Sequence, residues 1–156
     1  MILSAQSIRK IKPVDPFVER TVHECGMSYG LSCAGYDIRV KYPVYINKHG
    51  FELAVSLEKF TMPDNIVAKV ADKSTWARMG LAVQNTIIEP GWRGYLTLEL
   101  TYHGKKDHLY IPSGAPIAQI LFMQLDEPTE QTYSGKYQDQ PDKPVEAVLE
   151  TRPQTR

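Results

Sequence analysis

The sequence predicts an all-β domain, a sandwich or a barrel, from two observations. Short segments rich in β-forming residues recur along the chain, and turn-forming residues separate them at intervals of about ten residues. The length of 156 residues suffices for one domain with its own core and is short for two. The predicted strands are Tyr36–Val40, Val44–Ile46, Phe51–Val55, Ile66–Val70, Leu81–Val83, Tyr95–Leu100, Leu109–Ile111 and Ala118–Phe122.

Helix is predicted at two places only. Ser4 can cap a helix over Ala5–Lys10, with Ile8 and Ile11 facing inward, and a proline two residues further on prevents its continuation. A second short helix is predicted over Ser74–Met79, which begins with Ser-Thr and continues with helix-tolerant residues. We therefore expect a short N-terminal helix and one short internal helix beside the β-structure.

The composition turns polar and proline-rich from Asp126 onward, which predicts an arm rather than a second domain. Within it, Tyr133–Gln140 groups aromatic, cationic and amide side chains that a merely solvated segment does not need. We expect one domain over residues 1–148, of which 126–148 form a C-terminal arm, followed by a flexible tail at 149–156.

Charge and hydropathy limit the classes of function. Lys plus Arg and Asp plus Glu number 18 each, so the net charge is zero and predicts neither a nucleic-acid partner nor a membrane surface. No apolar run approaches a signal-peptide core or a membrane span, and a soluble, cytoplasmic protein is expected. Cys25 and Cys33 are expected to be reduced and of minor structural importance.

Two segments carry candidate chemistry. Asp72–Arg78 places two cations and two hydroxyls around a predicted helix start, where free N–H groups and the helix dipole favour an anion; a solvated helix edge is the alternative. Further on, a Pro-Gly turn leads into a strand in which Tyr95, Thr97 and Glu99 share one face, opposite the leucines. Glu99 is then either an exposed strand residue or a general base.

Several motifs occur in the order found in one protein superfamily. They are Glu52–Glu58, Asp72–Leu81, Glu89–Gly94, Thr97–Glu99 and Gly135–Gln140, with Met1–Ser4 and Gly35–Arg39 before them. On these motifs the sequence resembles the dCTP deaminases and their trimeric dUTPase relatives. The resemblance covers most of the chain, and ordered motifs are harder to meet by chance than any single one.

The resemblance implies a distorted β-barrel or jelly-roll of dUTPase-like type that forms a homotrimer with active sites shared between subunits. Phosphates would contact the segment Lys73–Arg78, and the arm would close over them. Trp76 itself is expected to pack against a wall of the trimer or pocket. The substrate-binding residues implied are Lys73, Ser74, Thr75, Trp76, Ala77, Arg78, Asn85, Thr86, Glu89, Trp92, Thr97, Leu98, Glu99, Tyr133, Lys136 and Gln140.

For deaminases of this superfamily the resemblance assigns water activation to Glu99, with attack on C4 of cytosine and assistance from Ser74 and Arg78. A carboxylate suits this role because it can take the proton of water and pass it to the base and the leaving ammonia. The His-x-Glu and Pro-Cys-x-x-Cys motifs of zinc deaminases are absent. The expected reaction is metal-independent conversion of dCTP to dUTP, with Mg²⁺ present only as a companion of the triphosphate.

Two alternatives stay open. A dUTPase, or a bifunctional enzyme that forms dUMP, would use a carboxylate at Glu89, where dUTPases have aspartate and the longer side chain would displace a positioned water. The segment Gln84–Ile88 is close to dUTPases in length, and Asn85 and Thr86 can read either base edge. Against it stand Glu99, where dUTPases usually have an apolar residue, and the missing Gly-rich C-terminal motif. The second alternative is a trimeric nucleotide-binding regulator without catalysis.

Overall fold

The computed structural model describes residues 1–150, and most of these lie in antiparallel β-structure. The prediction of a mainly β-fold with two short helices is confirmed. The elements in chain order are α1 (Ala5–Ile11), β1 (Val14–Asp15), β2 (Thr21–Val22), β3 (Ser28–Ser32), β4 (Gly35–Arg39), β5 (Val44–Asn47), β6 (Phe51–Thr61), β7 (Ile66–Asp72), α2 (Ser74–Arg78), β8 (Leu81–Val83), β9 (Ile87–Ile88), β10 (Arg93–Tyr102), β11 (His108–Ile111) and β12 (Pro116–Gln124). The expected tail falls partly on residues 151–156, which lie outside the described residues.

Three sheets curl into a half-barrel around one core. The largest has the strand order β2-β3-β4-β12-β7-β9, the second has the order β1-β6-β10-β8, and β5 pairs with β11. A bridge between Val40 and Ser56 connects the end of β4 with β6. This bridge places β6, and with it its partner β10, which carries Glu99, beside the sheet that contains β4 and β7.

The core follows from the alternation of side chains along the central strands. Ile120 lies opposite Val70, and Phe122 lies opposite Ala68, in the antiparallel pair β12–β7. All four side chains have a relative exposure of 0%. Because successive residues point to opposite faces, one apolar set per strand is enough to fill this interior.

The N-terminal helix differs from the prediction in two details. The Ser4 side chain makes no capping hydrogen bond, although its backbone carbonyl accepts from the N–H groups of Ser7 and Ile8 at 3.0 Å. Ile8 is buried as expected, but Ile11 is 36% exposed. The expected side-chain cap at Ser4 and the expected inward orientation of Ile11 were therefore wrong. Ile11 is the last helical residue, and Lys12 leaves the helix in a left-handed conformation, which turns this end toward solvent.

Four strands were not predicted, namely β1, β2, β3 and β9. Three of them are only two residues long and show no periodicity to detect. The remaining strand, β3, has Gly30 at its centre, and glycine is depleted in strands. Gly30 has a φ of 87°, and a Cβ there would lie 2.6 Å from the Glu19 carbonyl oxygen, so tertiary packing decides this strand.

Candidate active site

A cavity of about 520 Å³ lies where strand β10, the turn before it and the C-terminal arm meet. This volume is in the range of sites for small organic ligands. Its lining residues are Phe51, Leu53, Thr86, Ile87, Ile88, Glu89, Trp92, Leu96, Thr97, Glu99, Tyr133, Tyr137, Gln140, Val145, Glu146 and Ala147. Seven of the predicted substrate-binding residues thus share one cavity: Thr86, Glu89, Trp92, Thr97, Glu99, Tyr133 and Gln140.

Glu99 has the most unusual environment in this cavity. It lies on β10 opposite Leu53 of β6, and its Oε2 is buried without a hydrogen-bond partner. Burial raises the pKa of the Glu99 carboxyl, and a backbone hydrogen bond only partly opposes this effect. An unpartnered carboxylate oxygen is costly to bury, so the geometry offers a strong hydrogen-bond acceptor to a molecule that enters the cavity.

A β-bulge in β6 shapes the strand that carries Glu99. Between the pairs Tyr95–Lys59 and Thr97–Val55, three residues of β6 face the single residue Leu96. Ser56 Oγ holds the bulge by accepting from the Leu96 N–H at 2.8 Å and donating to the Glu58 carbonyl at 2.7 Å. Bulges reorient neighbouring side chains.

The residues of β10 that line the cavity match the expected alternation only in part. Thr97 and Glu99 line it as the alternation predicts, but Tyr95 does not, and Leu96 lines it instead. The burial of β10 nevertheless keeps the expected alternation, since Leu96, Leu98 and Leu100 are buried whereas Tyr95 and Glu99 are half-buried. Leu98, which was also expected among the substrate-binding residues, lies on the opposite face of the strand, is buried in the core and does not line the cavity.

The turn before β10 is bound to the arm. Trp92 Nε1 donates to the Tyr137 carbonyl at 2.6 Å, and its indole lies 5.9 Å from the Phe60 ring centre. The Tyr133 N–H donates to the Pro90 carbonyl at 2.9 Å. These contacts place one aromatic wall of the cavity and explain why the turn and the arm line it together.

The arm then crosses β10 of its own chain. Gln140 Oε1 accepts from the Thr97 N–H at 3.3 Å and from Thr97 Oγ1 at 3.0 Å. Thr97 Oγ1 in turn accepts from the Val145 N–H at 3.1 Å, and Tyr137 Oη accepts from the Val148 N–H at 2.9 Å. An ion pair between Lys41 and Asp142 at 2.6 Å adds a further attachment. The arm therefore forms one wall of the cavity.

The predicted phosphate-binding segment lies elsewhere. Helix α2 begins at Ser74 as expected, and Ser74 and Arg78 are exposed, but no residue from Lys73 to Arg78 lines the cavity. The Lys73 ammonium is buried 2.7 Å from Asp37. Burial raises the pKa of Asp37 more than this lysine lowers it. Trp76 is buried and donates to the Pro116 carbonyl at 2.6 Å, which is the packing role expected for it.

Two other predicted residues also lie outside the cavity. Asn85 is exposed and belongs to the connection between β8 and β9. Lys136 is exposed, with its ammonium 5.3 Å from the ring centre of Tyr137. The structure thus brings seven of the candidates together in the cavity and leaves the cationic ones outside it, with Lys73 buried against Asp37 and with Arg78 and Lys136 at the surface.

Nine lining residues were absent from the predicted set: Phe51, Leu53, Ile87, Ile88, Leu96, Tyr137, Val145, Glu146 and Ala147. Tyr137 lies inside the quoted motif Gly135–Gln140 and could have been included on that ground. Most of the others are apolar residues from distant parts of the chain. Only the pairing of β6 with β10, the bulge and the path of the arm bring them to one place.

The charge of the lining is one-sided. Within residues 1–150, three carboxylates line the cavity, namely Glu89, Glu99 and Glu146, and no Lys, Arg or His side chain does.

The described residues also contain no group of three or more His, Cys, Asp and Glu side chains arranged to hold a metal ion. No helix in this part of the chain is long and apolar enough to cross a membrane. Cys25 and Cys33 are free and exposed.

Comparison with known sequences identifies the class of protein. The model of the family described as dCTP deaminase-like matches residues 36–125. The dCTP deaminase of Campylobacter concisus is 36% identical over 162 aligned residues, which cover 83% of this chain and 86% of the relative. That of Acidobacterium capsulatum is 35% identical, with 81% of this chain and 86% of the relative covered. The chain belongs to the dCTP deaminase-like family, as the motifs predicted.

Solved structures agree with this assignment. The native dUTPase of EIAV is 26% identical with a TM-score of 0.54, and the match covers 66% of this chain and 85% of that protein. The 2′-deoxycytidine 5′-triphosphate deaminase of Agrobacterium tumefaciens has a TM-score of 0.62 at 15% identity, over 78% of this chain and 47% of that one. The second likeness shows the fold, and together they confirm a dUTPase-like architecture.

Proposed function

We propose that this protein is a dCTP deaminase that converts dCTP and water to dUTP and ammonia, with Glu99 as the general base. The observation that carries the proposal is the buried, unpartnered Oε2 of Glu99 in a cavity of about 520 Å³. Its family relatives in Campylobacter and Acidobacterium are dCTP deaminases, which supports the same substrate here.

The raised pKa of Glu99 suits both halves of such a reaction. A carboxylate of raised pKa is a stronger base toward water, and once protonated it can deliver the proton to N3 and to the departing amine. The bond from the water oxygen to C4 forms and the bond from C4 to the amino nitrogen breaks. One proton of the water ends on N3, and the other ends on the amino nitrogen, which leaves as ammonia. No protein-bound metal is required, and Mg²⁺ enters with the triphosphate.

The charge of the lining indicates how the nucleotide is oriented. Carboxylates and apolar side chains suit a neutral base and deoxyribose, whereas a triphosphate beside Glu89, Glu99 and Glu146 would be repelled. The base therefore enters the cavity, and the phosphates lie outside it. Lys136 on the arm is exposed and available to contact them.

The remaining cationic contacts come from a second copy of the chain in a homotrimer. This proposal rests on the family resemblance and on the position of Ser74 and Arg78, which are exposed and do not line the cavity of their own chain. Mixing two inactive variants, Glu99→Gln and Arg78→Ala, after dissociation and reassembly tests it. Shared sites restore measurable activity, whereas sites built from one chain stay inactive; the mass in solution gives the number of copies.

A second candidate function is dUTP hydrolysis to dUMP, alone or after deamination. The observation that favours it is Glu89, which lines the same cavity with an exposed side chain. Its position matches the aspartate that holds water in dUTPases. A non-catalytic nucleotide-binding trimer would show tight binding without either product.

Incubation of the purified protein with dCTP or dUTP and Mg²⁺ separates these functions. Ammonia and dUTP formed from dCTP indicate the deaminase, dUMP indicates a dUTPase step, and binding alone indicates the regulator. Glu99→Gln should lower ammonia release roughly 10²–10⁴-fold, the usual contribution of a general base. Glu89→Gln serves as the matched control, since it removes a carboxylate from the same lining and should lower only the formation of dUMP.

A further inference from the structure

Two histidines outside the cavity face each other at one corner of the fold. His49 lies in the turn between β5 and β6, and His103 directly follows β10. Their Nδ1 atoms are 3.3 Å apart, with ring centres 5.5 Å apart and an angle of 51° between the rings. Both side chains are exposed, and neither has a part in the proposed deamination.

The backbone holds both histidines in place. The His49 N–H donates to the Tyr102 carbonyl at 2.7 Å, and the His103 N–H donates to the Gly80 carbonyl at 2.8 Å. His49 has a φ of 62°, in the left-handed region that few non-glycine residues adopt. The β5–β6 turn, the end of β10 and the residues after α2 are therefore linked by hydrogen bonds, and this linkage positions the two histidines. Such positioning lowers the entropic cost of using both rings as ligands.

We propose that His49 and His103 form a binding site for a divalent transition-metal ion, with both Nδ1 atoms as ligands. Zinc–imidazole bonds of about 2.0–2.1 Å at a tetrahedral angle separate the two nitrogens by roughly 3.4 Å, close to the 3.3 Å found here. Imidazole is a preferred ligand of zinc, copper and nickel. Water fills the other coordination positions, since the described residues provide no third side-chain ligand.

The same distance fits a hydrogen bond between two neutral imidazoles, and the two arrangements differ in chemistry. The hydrogen bond needs a proton on one Nδ1, whereas the metal needs both Nδ1 lone pairs and protons on both Nε2 atoms. A bound ion would connect the β5–β6 turn with the segment after β10. That segment contacts Gly80 at the end of helix α2.

Titration of the EDTA-treated protein with Cu²⁺, Ni²⁺, Zn²⁺ and Mg²⁺, followed by calorimetry and by the imidazole NMR signals, tests the site. We expect one saturable site per chain, tightest for Cu²⁺ and absent for Mg²⁺, with shifts confined to His49 and His103. Saturating Zn²⁺ should also raise the thermal midpoint, because the ion binds only the folded pair.

Two variants and one control complete the test. His49→Asn, which tolerates the left-handed backbone, and His103→Gln should each abolish saturable binding and the thermal shift, with the metal-free midpoint unchanged. His23→Gln is the control, because the His23 Nδ1 accepts from the N–H of Cys25, a residue with a free, exposed thiol that could also serve as a ligand. Three results would overturn the proposal: the unaltered protein binds no metal ion, both variants still bind it, or His23→Gln loses it.

Discussion

Two carboxyl groups on neighbouring strands, the buried Glu58 of β6 and the half-buried Glu99 of β10, have opposite surroundings. The Glu58 side chain is fully buried, and its oxygens accept from Arg39 Nε at 2.7 Å and from the Arg39 N–H at 2.9 Å. Glu99 Oε2 is buried with no partner. Burial raises the pKa of both carboxyls, but only Glu58 has a cation beside it.

We propose that this difference separates a structural carboxylate, Glu58, from a catalytic one, Glu99. Glu58 is satisfied within the fold, so removing its charge leaves Arg39 without its acceptor. Glu99 is unsatisfied, so the folded chain bears a cost that a bound water or substrate removes. Strained or unsatisfied groups of this kind concentrate at functional sites, which is why we assign the chemistry to Glu99.

The largest expected effect is on turnover in Glu99→Gln. The amide keeps the shape but cannot take a proton from water, so kcat for ammonia release should fall roughly 10²–10⁴-fold. The far-UV circular dichroism and nucleotide affinity should stay close to those of the unaltered protein. If this variant failed to fold, Glu99 would be a structural carboxylate like Glu58.

The second effect is on stability in Glu58→Gln. Breaking a largely buried ion pair by removing one partner costs about 3–5 kcal/mol in the free energy of unfolding, measured by urea denaturation. Arg39→Met with Glu58→Leu, which removes both charges, should recover most of that loss. A Glu58→Gln variant as stable as the unaltered chain would contradict the contrast with Glu99.

The third effect is the pH dependence of stability in Glu99→Gln. Because the pKa of Glu99 is raised in the folded state, its stabilising contribution is complete below the pKa of the unfolded chain and is lost as the pH rises through the folded pKa. The variant lacks this loss. Its thermal midpoint should therefore gain on that of the unaltered protein between pH 4 and pH 7, two values chosen to bracket the ordinary glutamate pKa of about 4.3. A constant difference would show that the carboxyl is not perturbed.

The smallest effect concerns the arm. Thr97→Val removes the hydroxyl that donates to Gln140 and accepts from the Val145 N–H, at a cost of about 1 kcal/mol per hydrogen bond. Limited proteolysis within the arm should become faster and KM should rise, with a smaller change in kcat. Thr97→Ser keeps the hydroxyl and should behave as the unaltered protein; equal proteolysis of both variants would show that these bonds do not hold the arm.

The sequence allowed the β-class, both helices, the family and the base-side residues to be predicted. Eight predicted strands correspond to observed ones because alternation and turn residues are local properties. Glu99 and Thr97 were placed on one face correctly for the same reason. The contact of Leu96 with the cavity was not predicted, because the bulge beside it depends on Ser56, forty residues away in sequence.

Local sequence patterns could not predict that the segment Lys73–Arg78 lies away from the cavity in the same chain. Lys73 reads as a phosphate ligand by its position beside Ser74, yet in the fold its ammonium is buried against Asp37 on β4. The apolar lining residues from β6, β9 and the arm also carry no motif of their own. Such positions depend on long-range pairing, which a reading of neighbours along the chain does not determine.

The most direct test of the contrast between Glu58 and Glu99 is ammonia release from dCTP by the unaltered protein and by Glu99→Gln, with dCTP binding measured on the same samples. We predict ammonia from the unaltered protein, and in the variant a loss of roughly 10²–10⁴-fold with binding retained. Undiminished release by the variant, or no release by the unaltered protein under any nucleotide concentration, would contradict the assignment of Glu99 as the base.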